Sequence, residues 1–275
     1  MEPWESESAH VSRPESLEAL VDGLQASGRY TFANEEARRA LKQSRPAFNK
    51  ARRRLVRLRR IASPRRGFSV IVPLEYRSAG SPPPAWFIDE LMRFQGGDYY
   101  VGLLSAAALH GAAHQQPQVF QVVTTKPRRA IEMARVRIRF FTKRRIARNS
   151  TSRIKTETGS MAVSIPEVTA VDLVRYVRSI GNLSSIAVVL RDLSEKLDRQ
   201  RLFRAVREEA ELASVQRLGY LLEQIGAART VAPVAAWLAE QLPRPVPLRA
   251  SGGAAGAPLD HRWMVLVNDK IELDE

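Results

Sequence analysis

The sequence predicts an α+β protein with two domains. Short helical and β-prone segments follow one another in the first quarter of the chain, and strand-like alternation followed by a run of helices occupies the rest. The chain has 275 residues, of which 44% are hydrophobic, so it is long enough to bury more than one core. The first quarter also carries the most distinctive pattern of charge.

No aspartate or glutamate occurs between Ala37 and Leu74, while thirteen lysines and arginines fall in the same interval. Solvent-exposed helices usually mix charges, because oppositely charged side chains four residues apart stabilise one another. Charge of one sign therefore indicates that an external polyanion supplies the counter-charge. The net charge of +14 favours nucleic acid as that partner.

Within this interval, apolar residues recur at spacings of three and four, which is typical of a helix that buries one face. Ser44 is suited to cap the N-terminus of this helix, because its hydroxyl can accept a hydrogen bond from a free backbone N–H of the first turn. The positive side chains then project away from the core. The apolar stripe consists of Phe48, Ala51, Leu55 and Leu58.

A hairpin is predicted directly after the helix. The segments Arg60–Ala62 and Phe68–Val72 are β-prone, and the turn Ser63–Gly67 between them contains proline and glycine. This arrangement places Arg65 and Arg66 at the tip of the hairpin.

The segments upstream complete the unit. Ser12 and Glu15 have the spacing of a capping box, which predicts a first helix that ends at Gly28. We expect a short strand at Tyr30–Phe32 and a second helix over Asn34–Gln43. Helix, strand, helix, helix and hairpin is the order of a winged helix-turn-helix, whose recognition helix enters the major groove of DNA.

The predicted recognition helix and the hairpin tip supply the candidate DNA contacts. Arginine and asparagine can hydrogen-bond to guanine and adenine edges, and basic side chains also bind phosphates. The candidates for base edges are Arg45, Asn49, Lys50 and Arg53. The candidates for phosphates are Arg52, Arg54 and Arg57, and those for the minor groove or backbone are Arg65 and Arg66.

Composition suggests where the domains divide. The stretch YRSAGSPPP is rich in proline, serine and glycine, which is typical of a linker. The predicted segments are a disordered N-terminus at 1–13, a winged helix-turn-helix domain at 14–76, a linker at 77–84 and a mixed α/β C-terminal domain with a helical segment at 85–275.

The C-terminal domain contains a second basic cluster. We expect a helix over Tyr99–His114 and a strand at Val119–Thr124, and after them arginines alternate with apolar residues in the manner of a strand. One interpretation is a second DNA surface, and an equally weighted one is an arginine-faced edge strand that resists aggregation. The residues of this second candidate surface are Arg135, Arg137, Arg139, Lys143, Arg144 and Arg145.

Several function classes find no support in the sequence. The chain has no cysteine, and no P-loop or dinucleotide-binding glycine pattern occurs. His110 and His114 have the spacing of a zinc-binding pair, but no third ligand is evident nearby, so we expect no metal site. We expect no cofactor, no catalytic residues and no enzyme activity. The first ten residues are unlike a signal peptide and no apolar run would span a membrane, so we expect a cytoplasmic, nucleoid-associated protein.

Three stretches carry a resemblance to a known family. They are GRYTFANEEARRALKQSRPAFNKARRRLVRLRRIASPRRGFSVIVPLEYR, PPPAWFIDELMRF and YYVGLLSAAALHGAAHQQPQVFQVVTTKPRR. Together they resemble the AbiEi antitoxins of bacterial abortive-infection toxin–antitoxin systems. The similarity covers the predicted winged helix and the first part of the second domain, and it weakens towards the C-terminus.

The resemblance implies a transcriptional autorepressor that binds inverted repeats upstream of its own operon. It also implies that the C-terminal domain counteracts a nucleotidyltransferase-like toxin by type IV antagonism, without a stable complex, and that the protein is a monomer in solution or binds DNA cooperatively. The alternative is a stand-alone winged-helix regulator whose C-terminal domain senses a ligand or partner.

Overall fold

The computed structural model describes residues 14–112, 117–208 and 211–273, and it confirms the α+β class. The described chain forms two compact units. The first contains the residues up to Gln95 together with Ile131–Val136 and Thr156–Gly159, and the second contains the remainder. The predicted disorder at 1–13 lies outside the described residues.

The first unit begins with the order of elements predicted from the sequence. Its helices and strands are α1 (Leu17–Ala26), β1 (Thr31–Ala33), α2 (Asn34–Ala40), α3 (Arg45–Arg57), β2 (Ile61–Arg65), β3 (Phe68–Ile71) and, after two 3-10 turns at Leu74–Tyr76 and Pro84–Trp86, α4 (Ile88–Gln95). The three strands form an antiparallel sheet in the order β1-β3-β2.

The start of α1 differs from the prediction. Ser16 is the N-cap, since its hydroxyl accepts a hydrogen bond from the backbone N–H of Ala19 at 3.1 Å. Glu15 precedes the helix, so the predicted capping box is wrong, and its other member, Ser12, lies outside the described residues. A hydroxyl directly before the first buried residue, Leu17, lets the apolar face begin at the first helical position.

The core of the first unit is made by the faces that the three N-terminal helices turn towards the sheet. The apolar stripe of α3 contributes Phe48 and Leu55, which are 3% and 1% exposed. The predicted linker, 77–84, belongs to this unit, and Ser81 within it is buried. The predicted domain boundaries remain a prediction.

The second unit combines a mixed sheet with a helical layer. Its elements are β4 (Tyr99–Val101), α5 (Leu103–Leu109), β5 (Phe120–Thr124), β7 (Val136–Thr142), β8 (Thr151–Thr156), β9 (Gly159–Ser164), α6 (Pro166–Arg175), α7 (Val177–Ile180), α8 (Leu183–Ser194), α9 (Arg199–Glu208), α10 (Leu212–Gln224), α11 (Ala228–Glu240), β10 (Val246–Pro247), β11 (Leu259–Asp260) and β12 (Val265–Leu266). The strand β6 (Ile131–Met133) comes between β5 and β7 in sequence and belongs to the first unit.

The sheet of the second unit corrects one predicted helix. Its strand order is β7-β5-β4-β9-β8, with β4 antiparallel to β5 and parallel to β9. Residues Tyr99–Val101, predicted as helical, form β4, because Tyr100 and Val101 are buried in register with Val123 and Val122. The helix begins only at Leu103, and His114 of the predicted helix lies outside the described residues.

The C-terminal segment is anchored by one tryptophan. Trp263 is fully buried, and its indole N–H donates a hydrogen bond to Glu223 of α10. The ring lies against Gly219 of α10, where a Cβ would overlap the ring atoms.

No helix within 14–112, 117–208 or 211–273 is long and apolar enough to cross a membrane.

We predict that Gly219→Ala destabilises the protein by about 3 kcal/mol, since the new methyl group must displace Trp263 from a filled core. Thermal denaturation followed by tryptophan fluorescence measures this. Gly23→Ala is the matched control: Gly23 is also helical, nothing lies within 4 Å of the added carbon, and alanine should stabilise α1 by about 0.5–1 kcal/mol. Equal stability of Gly219→Ala and the wild type would contradict this packing.

Candidate nucleic-acid interface

Helix α3 is fixed at its N-terminus and along one face. The hydroxyl of Ser44 accepts from the N–H of Ala47 at 3.4 Å, and Pro46 occupies the first turn, where its missing N–H costs nothing. Phe48 and Leu55, on one face of α3, are buried in the core of the first unit. With 3.6 residues per turn, the cationic positions therefore point outward, as predicted.

The hairpin of β2 and β3 is tied to the start of α2. The backbone N–H of Asn34 donates to the carbonyl oxygen of Gly67 at 2.8 Å, and the hydroxyl of Ser69 donates to the side-chain oxygen of Asn34 at 2.6 Å. Gly67 has a φ of 86°, which a residue with a side chain adopts only with strain. The hairpin tip therefore has a defined position relative to α2.

An open cleft of about 680 Å³ runs between the hairpin tip and the N-terminal half of α3. From α3 it receives Arg45, Asn49 and Arg52, which share one side of the helix because they stand four and three residues apart. From the hairpin it receives Arg65 and Arg66. Two helical turns and the hairpin tip thus present cations to one shared space.

Residues of α2 that the sequence prediction omitted also line this cleft. The guanidinium of Arg38 donates to Glu35 at 2.7 and 3.1 Å and to the carbonyl oxygen of Gln43 at 2.9 Å. Gln43 immediately precedes the N-cap of α3, so Arg38 links α2 to the start of α3. The signal in the sequence is the spacing of Glu35 with Arg38 and Arg39, at three and four residues.

The Arg38–Glu35 contact also changes the acidity of the carboxylate. The hydrogen bond from Arg38 lowers the pKa of Glu35 from 4.5 to about 2, and Arg39 contributes less. Glu35 therefore stays ionised and keeps Arg38 in place. It is the one carboxylate among the residues that line the cleft.

Most predicted contacts on α3 and at the hairpin tip have no partner within the described part of the chain. Two others are engaged: Arg52 donates to the hydroxyl of Ser63 at 2.9 Å, and Arg54 pairs with Glu18 of α1 at 3.2 Å. Arg65 is half-buried and takes part in an interaction within the protein. The exposed side chains that form no hydrogen bond or ion pair with described residues are Arg45, Asn49, Lys50, Arg53, Arg57 and Arg66.

One comparison with known proteins finds a family match over part of the chain. The model of the AbiEi antitoxin C-terminal domain matches residues 100–224. Residues 100–224 are therefore similar to the C-terminal domain of AbiEi antitoxins. The resemblance seen in the sequence is thereby confirmed.

Two further comparisons bear on the chain. No curated protein matches it. The crystal structure of the RV2827C protein from Mycobacterium tuberculosis is similar in fold, with a TM-score of 0.59 and 18% identity over 90% of this chain and 89% of that one.

The structure separates the residues of the second candidate surface more than the sequence suggested. Arg137 and Arg139 are exposed on β7 on either side of the buried Ile138, as predicted. Arg135, however, precedes the strand, because the chain turns at Ala134, where φ is 51°. Arg135 also belongs to the first unit, whereas the other predicted residues belong to the second.

Two cations of that surface are engaged within the second unit. Arg139 donates to the carbonyl oxygen of Ser179 at 2.6 Å. Lys143, whose side chain is 15% exposed, pairs with the buried Asp172 at 2.6 Å. Arg144 and Arg145 are exposed and line a separate cleft, so the six residues do not form one continuous row of unpaired cations. His110 of the considered metal pair contacts the carbonyl oxygen of Ser164 at 2.7 Å.

We predict that Arg38→Ala raises the pKa of Glu35 from about 2 towards 4.5, because the largest cause of the lowered pKa is the Arg38 hydrogen bond. Carboxyl NMR titration measures this. A lowered folded-state pKa contributes stability above the unfolded value, and that contribution is lost as the pH falls towards 2. Lys50→Ala should leave the pKa of Glu35 unchanged, and an unaltered value in Arg38→Ala would contradict the assignment.

Proposed function

We propose that this chain is the DNA-binding antitoxin of an AbiE-type toxin–antitoxin system. Its first unit acts as a winged helix-turn-helix that binds inverted repeats upstream of its own operon and represses transcription. Its second unit, which contains the AbiEi antitoxin domain, counteracts a nucleotidyltransferase-like toxin without forming a stable complex. The protein binds its paired sites as a monomer or cooperatively.

The observation that carries the DNA-binding proposal is the row of uncommitted cations on α3. Arg45, Lys50, Arg53 and Arg57 are exposed and form no ion pair with the described residues, although α1 and the start of α2 supply carboxylates to neighbouring arginines. Packing these charges close together costs free energy that a polyphosphate backbone would recover. Release of condensed counterions from DNA then favours binding.

The position of each side chain on α3 suggests its role. Arg45 and Asn49 line the cleft beside the hairpin, where they are placed to hydrogen-bond to purine edges in the major groove. Lys50 and Arg53 occupy the adjacent outward face and also reach base edges. Arg57, one turn beyond Arg53, contacts a phosphate.

The remaining predicted contacts take different roles. Arg66, at the hairpin tip, reaches the flanking backbone or minor groove, and Arg65 beside it supports the tip. Arg52 is oriented by Ser63 and can present a second N–H to a phosphate. Arg54 is paired with Glu18, so we assign it to the packing of α1 on α3 and not to DNA.

We predict that Arg45→Ala weakens binding to the protein's own upstream DNA by about 1–3 kcal/mol and has a smaller effect on random DNA, because a base contact is lost. Arg57→Ala should weaken binding to both DNAs by the same factor, because a phosphate contact does not depend on sequence. Fluorescence anisotropy with labelled duplexes at fixed salt measures both.

Arg229→Ala is the matched control, since Arg229 is an exposed arginine on α11 of the second unit. It should leave both affinities unchanged. All three variants should still rescue cells from the product of the neighbouring toxin gene, if the two activities reside in different units. Equal losses for Arg45→Ala on specific and random DNA would remove Arg45 from the base-reading set.

A further inference from the structure

The second unit contains a cleft that the proposed DNA interface does not use. Its volume is about 370 Å³, within the range of roughly 300–1,000 Å³ in which small-ligand sites occur. It is formed by the segment that follows β7 together with α6 and α9. The residues that matter for its chemistry are Lys143, Arg144, Arg145, Val171, Arg175 and Glu208.

One part of this cleft is apolar. Val168 and Val171 stand three residues apart on α6, so they lie on one face of that helix, and Ala205 of α9 joins them. All three side chains are less than a tenth exposed. A flat, weakly polar group such as a nucleobase could be covered by this surface.

The cations of the cleft fall into two groups. Lys143 and Arg175 are held in place by Asp172 at 2.6 Å and Glu211 at 3.0 Å. Arg144 and Arg145 are exposed and form no hydrogen bond or ion pair with any described residue. Two consecutive, uncommitted guanidinium groups at the mouth of a concave site suit the oxygens of a phosphate chain.

The cleft has a direct extension. A neighbouring cleft of about 340 Å³ shares Ser150, Val168, Ala205 and Glu208 with it and adds Arg204. Arg204 is also exposed and unengaged among the described residues. The shared lining residues show that the two clefts adjoin each other.

One carboxylate lines both clefts. Glu208, three residues after Ala205 on α9, forms no hydrogen bond or ion pair with described residues. A carboxylate would repel a bare phosphate, but it accepts hydrogen bonds from ribose hydroxyls in nucleotide sites. Its presence beside cations favours a ligand that carries both a sugar and phosphates.

We propose that this cleft binds a nucleoside triphosphate. Arg144 and Arg145 contact the phosphates, the surface of Val168, Val171 and Ala205 covers the base, and Glu208 accepts a hydrogen bond from a sugar hydroxyl. The site lies in the antitoxin domain and does not depend on DNA binding by the first unit.

Duplex DNA fits the same residues less well. A duplex would require cations spread along an exposed surface, and the two that precede Arg144 in the second candidate surface, Arg139 and Lys143, are engaged with Ser179 and Asp172. Arg144 and Arg145, in contrast, line a concave site together with the apolar side chains of Val168, Val171 and Ala205. A small anionic ligand matches this geometry.

Isothermal titration calorimetry of the full-length protein with ATP, GTP, CTP and UTP tests the proposal. At least one triphosphate should bind, and the double variant Arg144→Ala/Arg145→Ala should weaken binding at least tenfold, the loss expected for about 1.4 kcal/mol of charged hydrogen bonding. Arg148→Ala is the matched control, because Arg148 is exposed in the same segment but lines neither cleft. Glu208→Gln should weaken binding of the nucleotide but not of inorganic triphosphate.

Four results would overturn the proposal. They are no binding of any nucleotide, an equal loss in Arg148→Ala, inorganic triphosphate that binds the wild type as tightly as the best nucleotide, and a double variant that loses affinity for duplex DNA by the same factor. Unchanged circular dichroism and melting temperature of the double variant would establish that it folds. Because the proposed DNA contacts lie on α3 and the hairpin, failure here leaves the repressor assignment intact.

Discussion

The first unit depends on a separation of charge from apolar contact within one helix. Phe48 and Leu55 secure α3 to the core, and the same helix carries arginines that find no carboxylate among the described residues. Acids are present nearby, since Glu35 holds Arg38, and Glu18 and Asp22 on α1 hold Arg54 and Arg60. Those pairs lie around α3 and leave its outward face with a net positive charge that no described carboxylate balances.

Hydrogen bonds between α2, α3 and the hairpin give the arginines of α3 a defined position despite their flexible side chains. Arg38 connects Glu35 to the carbonyl oxygen that precedes the N-cap of α3, and Asn34 connects the same end of α2 to the hairpin. The start of α2 therefore positions both α3 and the hairpin tip. Preorganisation of this kind lowers the entropic cost of binding a ligand.

The elements of the first unit depend on patterns within a few residues, so they could be predicted from the sequence. The second unit depends more on contacts between residues distant in sequence, so fewer of its features could be predicted. The Ser44 cap, the apolar stripe and the glycine of the hairpin act within a few residues, so α3 and the hairpin were predicted close to their observed bounds. Asp172 pairs with Lys143 across 29 positions of sequence, and no local pattern marks that contact. Likewise β4 is a strand because Val122 and Val123 pair with it, although the alanine-rich residues that follow it led to the prediction of one helix over the whole stretch.

The salt dependence of binding to random-sequence duplex DNA tests the central claim most directly. If Arg52, Arg57 and Arg66 contact phosphates as proposed, the logarithm of the association constant should fall with the logarithm of salt concentration with a slope of about −3. A slope near zero would contradict the claim, because it would mean that the uncommitted cations of α3 and the hairpin do not bind a polyanion.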